Sequence, residues 1–263
     1  MEQIVHEKNF EQWSGLSETY HDIRPVPPAA IIKTILSWLQ KEADVVIDLG
    51  SGTGLSTTIW NDFAKHIIGI EPNDDMRSVA EKNANSDRVV FQKGVSNKTN
   101  LPSDYADVIT VAQAFHWMDI DSTLSECYRV LKPGGVLAIY DFSLPPILDW
   151  AIERDFLALR EKCSEIVYAQ EIPPVHNDKN SYNDRIKAFG KFRFARESVC
   201  HSVEKWTLQK VMGFLVNISS ADLAMKMDAA IERDVDAFLN FVKTRCGDTI
   251  ELIFPYKMVI AVK

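Results

Sequence analysis

The segment Asp48-Leu49-Gly50-Ser51-Gly52-Thr53-Gly54 sets an acid ahead of three glycines at alternating positions. Glycines let the backbone turn sharply and bring its peptide groups up to a ligand with no Cβ in the way. The acid beside them is a poor neighbour for a pyrophosphate and a good one for a cationic amine. Glu71 closes a second apolar run, HIIGI (66–70), and a carboxylate accepting two hydrogen bonds can take both hydroxyls of a ribose. His116, in AQAFHW (112–117), is an imidazole at a strand end that could serve as a general base. The plainer reading is that His116 and Trp117 pack together and orient a pocket.

Each of these residues falls where an apolar element ends. VVIDL (45–49) is a continuous run of strand length stopped by Gly50, and LSTTIWNDFA (55–64) takes up a helical period through Leu55, Ile59 and Phe63. The alternation goes on with HIIGI (66–70) as a strand, DDMRSVAEKN (74–83) as a helix, VVFQ (89–92) and ADVITV (106–111) as strands, and DSTLSECYRVL (121–131) as a helix. GVLAIYDF (135–142) follows a KPGG turn as a fifth strand. Five apolar strands separated by helical segments predict a parallel sheet covered on both faces. Ahead of them, PVPPAAIIKTILSWL gives a helix with Ile31, Ile35, Trp38 and Leu39 on one face.

Beyond residue 144 the rhythm breaks. A helix over 149–163 leads into the proline- and Asn/Asp-rich loop EIPPVHNDKNSYND, then a strand over 192–203 with Phe192 and Phe194 toward the core. A Thr-capped helix follows over 207–218, then a helix over 233–247 with Gly247 as its stop. TIELIFPYKMVIAVK reads as a strand pair or one bent strand, whose Pro255 argues for a sheet edge or a bulge.

The composition narrows the function. The 263 residues carry 29 Lys+Arg and 37 Asp+Glu, a formal charge of -8, which disfavours binding a phosphate backbone, so no nucleic-acid partner is expected. The four cysteines show no CxxC pair, so neither a metal cluster nor a disulfide framework is indicated. MEQIVHEKNF has no signal-peptide core and no run reaches membrane-span length, which predicts a cytoplasmic protein with no membrane partner.

The ordered motifs VVIDLGSGTG (45–54), GIEPNDDM (69–76), ADVITVAQAFHW (106–117) and LKPGGVLAIYDF (131–142) together resemble the class I S-adenosylmethionine-dependent methyltransferases. The resemblance implies an α/β, Rossmann-like fold: a seven-stranded, mostly parallel sheet with one antiparallel strand, helices on both faces and a helical lid insertion. It implies S-adenosyl-L-methionine as cofactor, S-adenosyl-L-homocysteine as product and a small-molecule methyl acceptor. It divides one catalytic domain into a cofactor-binding half at 1–144, a lid and substrate insertion at 145–191, and a part at 192–263 that completes the sheet with helices over the substrate side.

Carried over by position, the turn Gly50, Ser51, Gly52, Thr53 and Gly54 would hold the cofactor, the first three residues on its methionine portion. Asp48 would reach the amino group directly or through water, and Glu71 the ribose hydroxyls. Pro72 and Met76 would line the adenine, with Val95 and Ser96 at its edge. Gln113 and Ala114 would lie beside the methionine chain, and Trp117 on the substrate side. Tyr20 and Arg24-Pro25, taken with residues 112–117, are similar to the trans-aconitate methyltransferase group, which implies that Tyr20 and Arg24 close over the cofactor. On that likeness the acceptor is a carboxylate and the reaction O-methyl transfer, which needs no base. The five cations Arg185, Lys187, Lys191, Arg193 and Arg196 would favour an anionic acceptor, or form the wet side of a strand.

The rival readings are an NAD(P)-dependent oxidoreductase and a non-catalytic relative of the fold. The dinucleotide fingerprint needs a small residue where Leu55 stands. A non-catalytic relative would be marked by decay of the glycine turn, which is intact. No motif encodes an oligomeric state.

Overall fold

A computed structural model describes residues 17–170 and 177–263. The polar segment at 1–16 and the prolines of the EIPPVH stretch lie outside the described residues. The strands are β1 (Ala43–Leu49), β2 (Ala64–Ile70), β3 (Val89–Gln92), β4 (Ala106–Ala112), β5 (Leu131–Phe142), β6 (Phe194–Thr207) and β7 (Thr249–Val262). They form one seven-stranded sheet in the order β3-β2-β1-β4-β5-β7-β6. β1 to β5 pair in parallel, and β7 runs antiparallel to β5 from Val136↔Val262 to Phe142↔Tyr256.

The strand sequence builds outward from β1 to β3 on one side and then returns to place β4 and β5 on the other. That reversal opens a crevice beyond the C-terminal ends of β1 and β4, the place where open α/β sheets take ligands. The central strands are buried on both faces, as Val46, Ile47 and Leu49, Val108, Ile109 and Val111, and Val136 to Ile139 all show. Such runs are what helices on both faces require.

The helices are α1 (Ser17–Ile23), α2 (Ala29–Leu39), α3 (Asp74–Asn83), α4 (Ile120–Val130), α5 (Trp150–Gln170), α6 (Tyr182–Phe189), α7 (Leu208–Ile218), α8 (Ala221–Met227) and α9 (Ile231–Arg245). Several start at caps visible in the sequence. Asn73 accepts from Met76 N at 3.0 Å, Asp119 from Ser122 N at 2.8 Å, and Thr207 from Lys210 N at 3.3 Å.

Contacts divide the chain into two compact units: Met1–Phe142, Val175–Cys200 and Tyr256–Lys263 in one, Ser143–Pro174 and His201–Pro255 in the other. The second holds α5, α7, α8 and α9, with an aromatic cluster in which Trp206 lies 5.4 Å from Phe214 and 5.2 Å from Phe254. No helix among the described residues is long and apolar enough to cross a membrane.

The structure differs from the expectation at six points. Where a helix is expected over 55–64, residues 55–63 form turns and a single 3-10 turn, Thr58–Trp60, and Ala64 already opens β2. Here Ser56 and Thr57 turn their hydroxyls to Asp48, and β-branched Thr58 and Ile59 are poor helix formers. The KPGG segment lies within β5, where a register shift lets Ala106 pair with Leu131 and Val108 with Val136. The loop expected after α5 contains α6, anchored by buried Tyr182 and Ile186. α9 ends at Cys246 in an extended conformation and not on a left-handed Gly247. Pro255 lies within β7, an interior strand, just past its last pair with β5. Phe194 is exposed and tilts against Trp38 at 5.6 Å.

Glu126 on α4 ties the loop before β4 to that helix. It accepts from Thr99 N at 2.8 Å, Thr99 Oγ1 at 2.6 Å and Arg129 Nε at 2.8 Å, while Arg129 also donates to Leu101 O at 2.8 Å. Burial alone would raise its pKa, but Arg129 and Thr99 outweigh burial and hold the carboxyl down to about 2, against an ordinary 4.5. Because the folded value is the lower one, this stabilisation is complete above the ordinary value and is lost as pH falls toward about 2. Glu126→Gln should therefore lower the melting temperature near neutral pH, by an amount that shrinks as melts are repeated in increasingly acidic buffer. A gap that stays constant would show that the ionised form contributes nothing.

Candidate functional site

The glycine turn occupies the crevice between the ends of β1 and β4. Gly50 N donates to Ile70 O at 2.8 Å and Gly54 N to Ser51 O at 2.9 Å, which ties the turn to β2 and folds it on itself. Gly50 (φ +67) and Gly52 (φ +53) are both left-handed, yet they meet different surroundings. A Cβ on Gly50 would come within 2.7 Å of Ala114 Cβ, so the end of β4 packs directly on the turn. A Cβ on Gly52 would meet nothing within 4 Å. The hydroxyls of Ser51 and Thr53 are buried and have no hydrogen-bond partner among the described residues.

Two acids hold this turn. Asp48 is wholly buried and accepts from Ser56 Oγ at 2.6 Å, Thr57 Oγ1 at 2.7 Å and Thr110 Oγ1 at 2.8 Å. Burial pushes its carboxyl up, and the three hydroxyls pull the other way. Where the sequence suggests an acid open to an amine, the carboxylate is enclosed by hydroxyl donors. Glu71 accepts from Gly52 N at 2.8 Å through one oxygen and from Asn73 N at 2.9 Å through the other. Burial raises its carboxyl too, opposed by these N–H donors.

The other residues expected at the cofactor lie as follows. Pro72 is half-buried and Met76 buried at the start of α3. α1 packs against α3 and carries Tyr20, with the Arg24 guanidinium 4.4 Å from the Tyr20 ring centroid. Val95 bridges Lys98, and the Ser96 hydroxyl meets Thr123 Oγ1 on α4 at 2.8 Å. The five cations from Arg185 to Arg196 are all exposed, and Arg185 pairs with Asp121 at 2.8 Å, so they form a wet face.

A second cluster lies past β4 and β5. Gln113 takes a left-handed φ of +54 while its N donates to Tyr140 O at 3.0 Å. This strained turn carries the chain into the 3-10 turn Phe115–Trp117, where the His116 and Trp117 rings lie 4.7 Å apart. Facing it is Asp141 of β5, which accepts from Lys179 Nζ at 2.7 Å and lies 3.8 Å from His116 Nδ1. With its amide N toward Asp141 Oδ1 at 3.2 Å, Gln113 turns its amide O to Phe142 N. Asn177 holds the same turn, its Nδ2 donating to Met118 O at 2.8 Å and its N to His116 O at 2.8 Å.

The sequence reading found His116, Trp117, Gln113 and Ala114 here and missed Asp141, Lys179 and Asn177. Asp141 interrupts the apolar pattern of GVLAIYDF, which was the available signal. Lys179 and Asn177 belong to a polar loop that carries no pattern at all. No group of His, Cys, Asp and Glu among the described residues could hold a metal ion.

Residues 47–139 match the family model described as a methyltransferase domain. A candidate methyltransferase of Dictyostelium discoideum is 32% identical over 137 residues, 52% of this chain and 51% of that one, so the chain spans about half the length of this relative. A methyltransferase-like protein of Schizosaccharomyces pombe is 29% identical over 206 residues, 76% of each chain. Among solved structures, that of a candidate type II methyltransferase of Anaeromyxobacter dehalogenans shares the fold with a TM-score of 0.70, covering 91% of this chain and 97% of that one at 20% identity. The cofactor of this domain is S-adenosylmethionine, and the residues present fit it. Gly52 opens on free space, two buried hydroxyls await partners, and Glu71 stands at the second strand end.

Glu71→Ala removes an acceptor shared by two backbone donors and should weaken S-adenosylhomocysteine binding by about 1–3 kcal/mol, measured by calorimetry. Parent-like affinity would remove Glu71 from the site. Gly52→Ala, strained only by its left-handed φ, should lose less melting temperature than Gly50→Ala, which also clashes with Ala114, and should bind poorly. Undiminished binding by a folded Gly52→Ala would place the ligand elsewhere.

Proposed function

We propose that this chain is an S-adenosylmethionine-dependent methyltransferase acting on a small molecule. The observation that carries the reading is the bond from Gly52 N to the Glu71 carboxylate at 2.8 Å, at the switch point of the sheet. It fixes a ribose-reading acid beside a turn that a nucleoside can approach. Glu71 takes the ribose hydroxyls, Pro72 and Met76 line the adenine, and Val95 and Ser96 stand at its edge. Gly50 to Gly54, Gln113 and Ala114 surround the amino-acid portion, with Tyr20 and Arg24 closing from α1. Asp48 acts on the amino group through the turn that it holds.

The cofactor supplies an electrophilic methyl group on a sulfonium, so the chain has to align an acceptor lone pair and keep water out. Trp117 supports the acceptor, and His116 is the candidate base. Two acceptor chemistries have support. A carboxylate accords with the likeness of Tyr20, Arg24-Pro25 and residues 112–117 to the trans-aconitate group. A protonated nucleophile accords with Asp141 beside His116. The insertion at 145–191 is proposed to carry acceptor specificity.

An oxidoreductase reading is disfavoured by a specific feature. A pyrophosphate needs a helix N-terminus directly after the glycines, and here the chain makes only the 3-10 turn Thr58–Trp60. Fluorescence titration should show saturable binding of S-adenosylhomocysteine and none of NADH, and methyl transfer from labelled S-adenosylmethionine to some member of a metabolite mixture should follow. Tighter binding of NADH would overturn the reading, and cofactor binding with no transfer to any acceptor would point to a non-catalytic relative.

A further inference from the structure

The carboxylate of Asp141 is placed oddly for a structural ion pair. It belongs to β5, one residue from its end, and only 9% of its side chain is exposed, as is 12% of that of His116. Its Oδ1 gathers Lys179 Nζ at 2.7 Å, the Gln113 amide N at 3.2 Å and, at 3.8 Å, His116 Nδ1. Its Oδ2 accepts no hydrogen bond from the described residues, which leaves it open to one more donor. Three separate segments, after β4, at the end of β5 and before α6, converge to build this arrangement.

We propose that Asp141 is the positioning residue for His116, holding Nδ1 so that Nε2 takes the proton of an acceptor whose nucleophile arrives as O–H or N–H. The inference rests on the methyl-transfer reading and chooses between its two acceptor chemistries. In the step, the acceptor's heteroatom lone pair forms the bond to the methyl carbon while the methyl–sulfur bond breaks and leaves its electron pair on sulfur. The acceptor's proton passes to Nε2 of His116, and the imidazolium donates Nδ1–H to Asp141. A modest rotation closes 3.8 Å to hydrogen-bond distance, as catalytic contacts tighten when the substrate is bound.

Charge argues against a carboxylate acceptor at this edge. Lys179, the cation that could attract one, is already neutralised by Asp141, whose open oxygen would repel an incoming anion. Among the described residues, the other titratable groups placed near the pair come from the segment before and into α6. They are Lys179, Asp178 and Tyr182, whose phenol is pushed up by burial and then by the charges of Asp141 and Asp178. Burial pushes the Asp141 carboxyl up as well, and the Lys179 ammonium opposes it.

Two measurements test the proposal, and the first does not depend on activity. The imidazole C–H resonance of His116, assigned by its loss in His116→Gln, is followed by NMR against pH in the parent, Asp141→Asn and Lys179→Met. The midpoint should fall by about one pH unit in Asp141→Asn and rise in Lys179→Met. If Asp141→Asn fails to fold, Asp141→Glu takes its place, and a His116 midpoint that it leaves unmoved overturns the proposal. Unmoved midpoints overturn the proposal. The second is single-turnover methyl transfer, which should rise with pH through the His116 midpoint in the parent. His116→Gln should lose roughly 10²–10⁴-fold in rate with little change in S-adenosylhomocysteine affinity. A flat profile with full activity in His116→Gln would overturn the proposal in favour of an ionised acceptor. Failure to bind S-adenosylhomocysteine at all would instead sink the methyltransferase reading, and the NMR result would still stand on its own.

Discussion

Asp48 is wholly buried in the second-last position of β1, and an ionised carboxyl there costs several kcal/mol of desolvation unless it is satisfied. Three hydroxyls satisfy it, and each comes from a place that the bond then fixes: Ser56 and Thr57 beyond the glycine turn, and Thr110 on the neighbouring strand β4. Hydrogen bonds to a charged acceptor contribute roughly 1.5–3 kcal/mol apiece, which opposes the burial without cancelling it, so the carboxyl stays raised. The outcome is a turn clamped from both of its ends. Its glycines are held against Ala114 on one side and left open at Gly52 on the other.

The same clamp explains where the sequence misleads. Leu55, Ile59 and Phe63 do recur at a helical period, but the intervening Ser56 and Thr57 have a better use for their hydroxyls than helix does. A buried acid one strand-end away is a tertiary fact, and periodicity is blind to it. By contrast α3 and α7 were legible to the residue, because their caps Asn73 and Thr207 are local to the helices they start. α6 escaped notice because it buries little more than Tyr182 and Ile186 and follows a stretch rich in Asn and Asp.

The site divides along a similar line. Asp48, the glycine turn and Glu71 abut strand ends within one βαβ passage, so order along the chain was enough to group them. The cluster past β4 and β5 assembles from residues far apart in sequence, His116, Asp141 and Lys179. The pairing of β4 with β5, the packing of α6 against α4, and the edge-on contact of Phe115 in the 3-10 turn with Tyr182 of α6, rings 4.9 Å apart, bring those together. Residues 112–117 lead the chain into this cluster, but nothing in that motif announces the acid of β5 that faces it.

β7 has a consequence for how the polypeptide reaches this state on the ribosome. It is the most C-terminal of the described strands, yet it lies between β5 and β6. During synthesis β5 and β6 therefore emerge while the strand that joins them is still unmade, and β5 meanwhile presents an open edge to a neighbouring nascent chain. β6 waits as well, and its exposed Phe194, Val199 and Val203 are residues that a stray strand could pair beside. The interval between translation of residue 207 and residue 262 is the one in which a chaperone would have the most to protect.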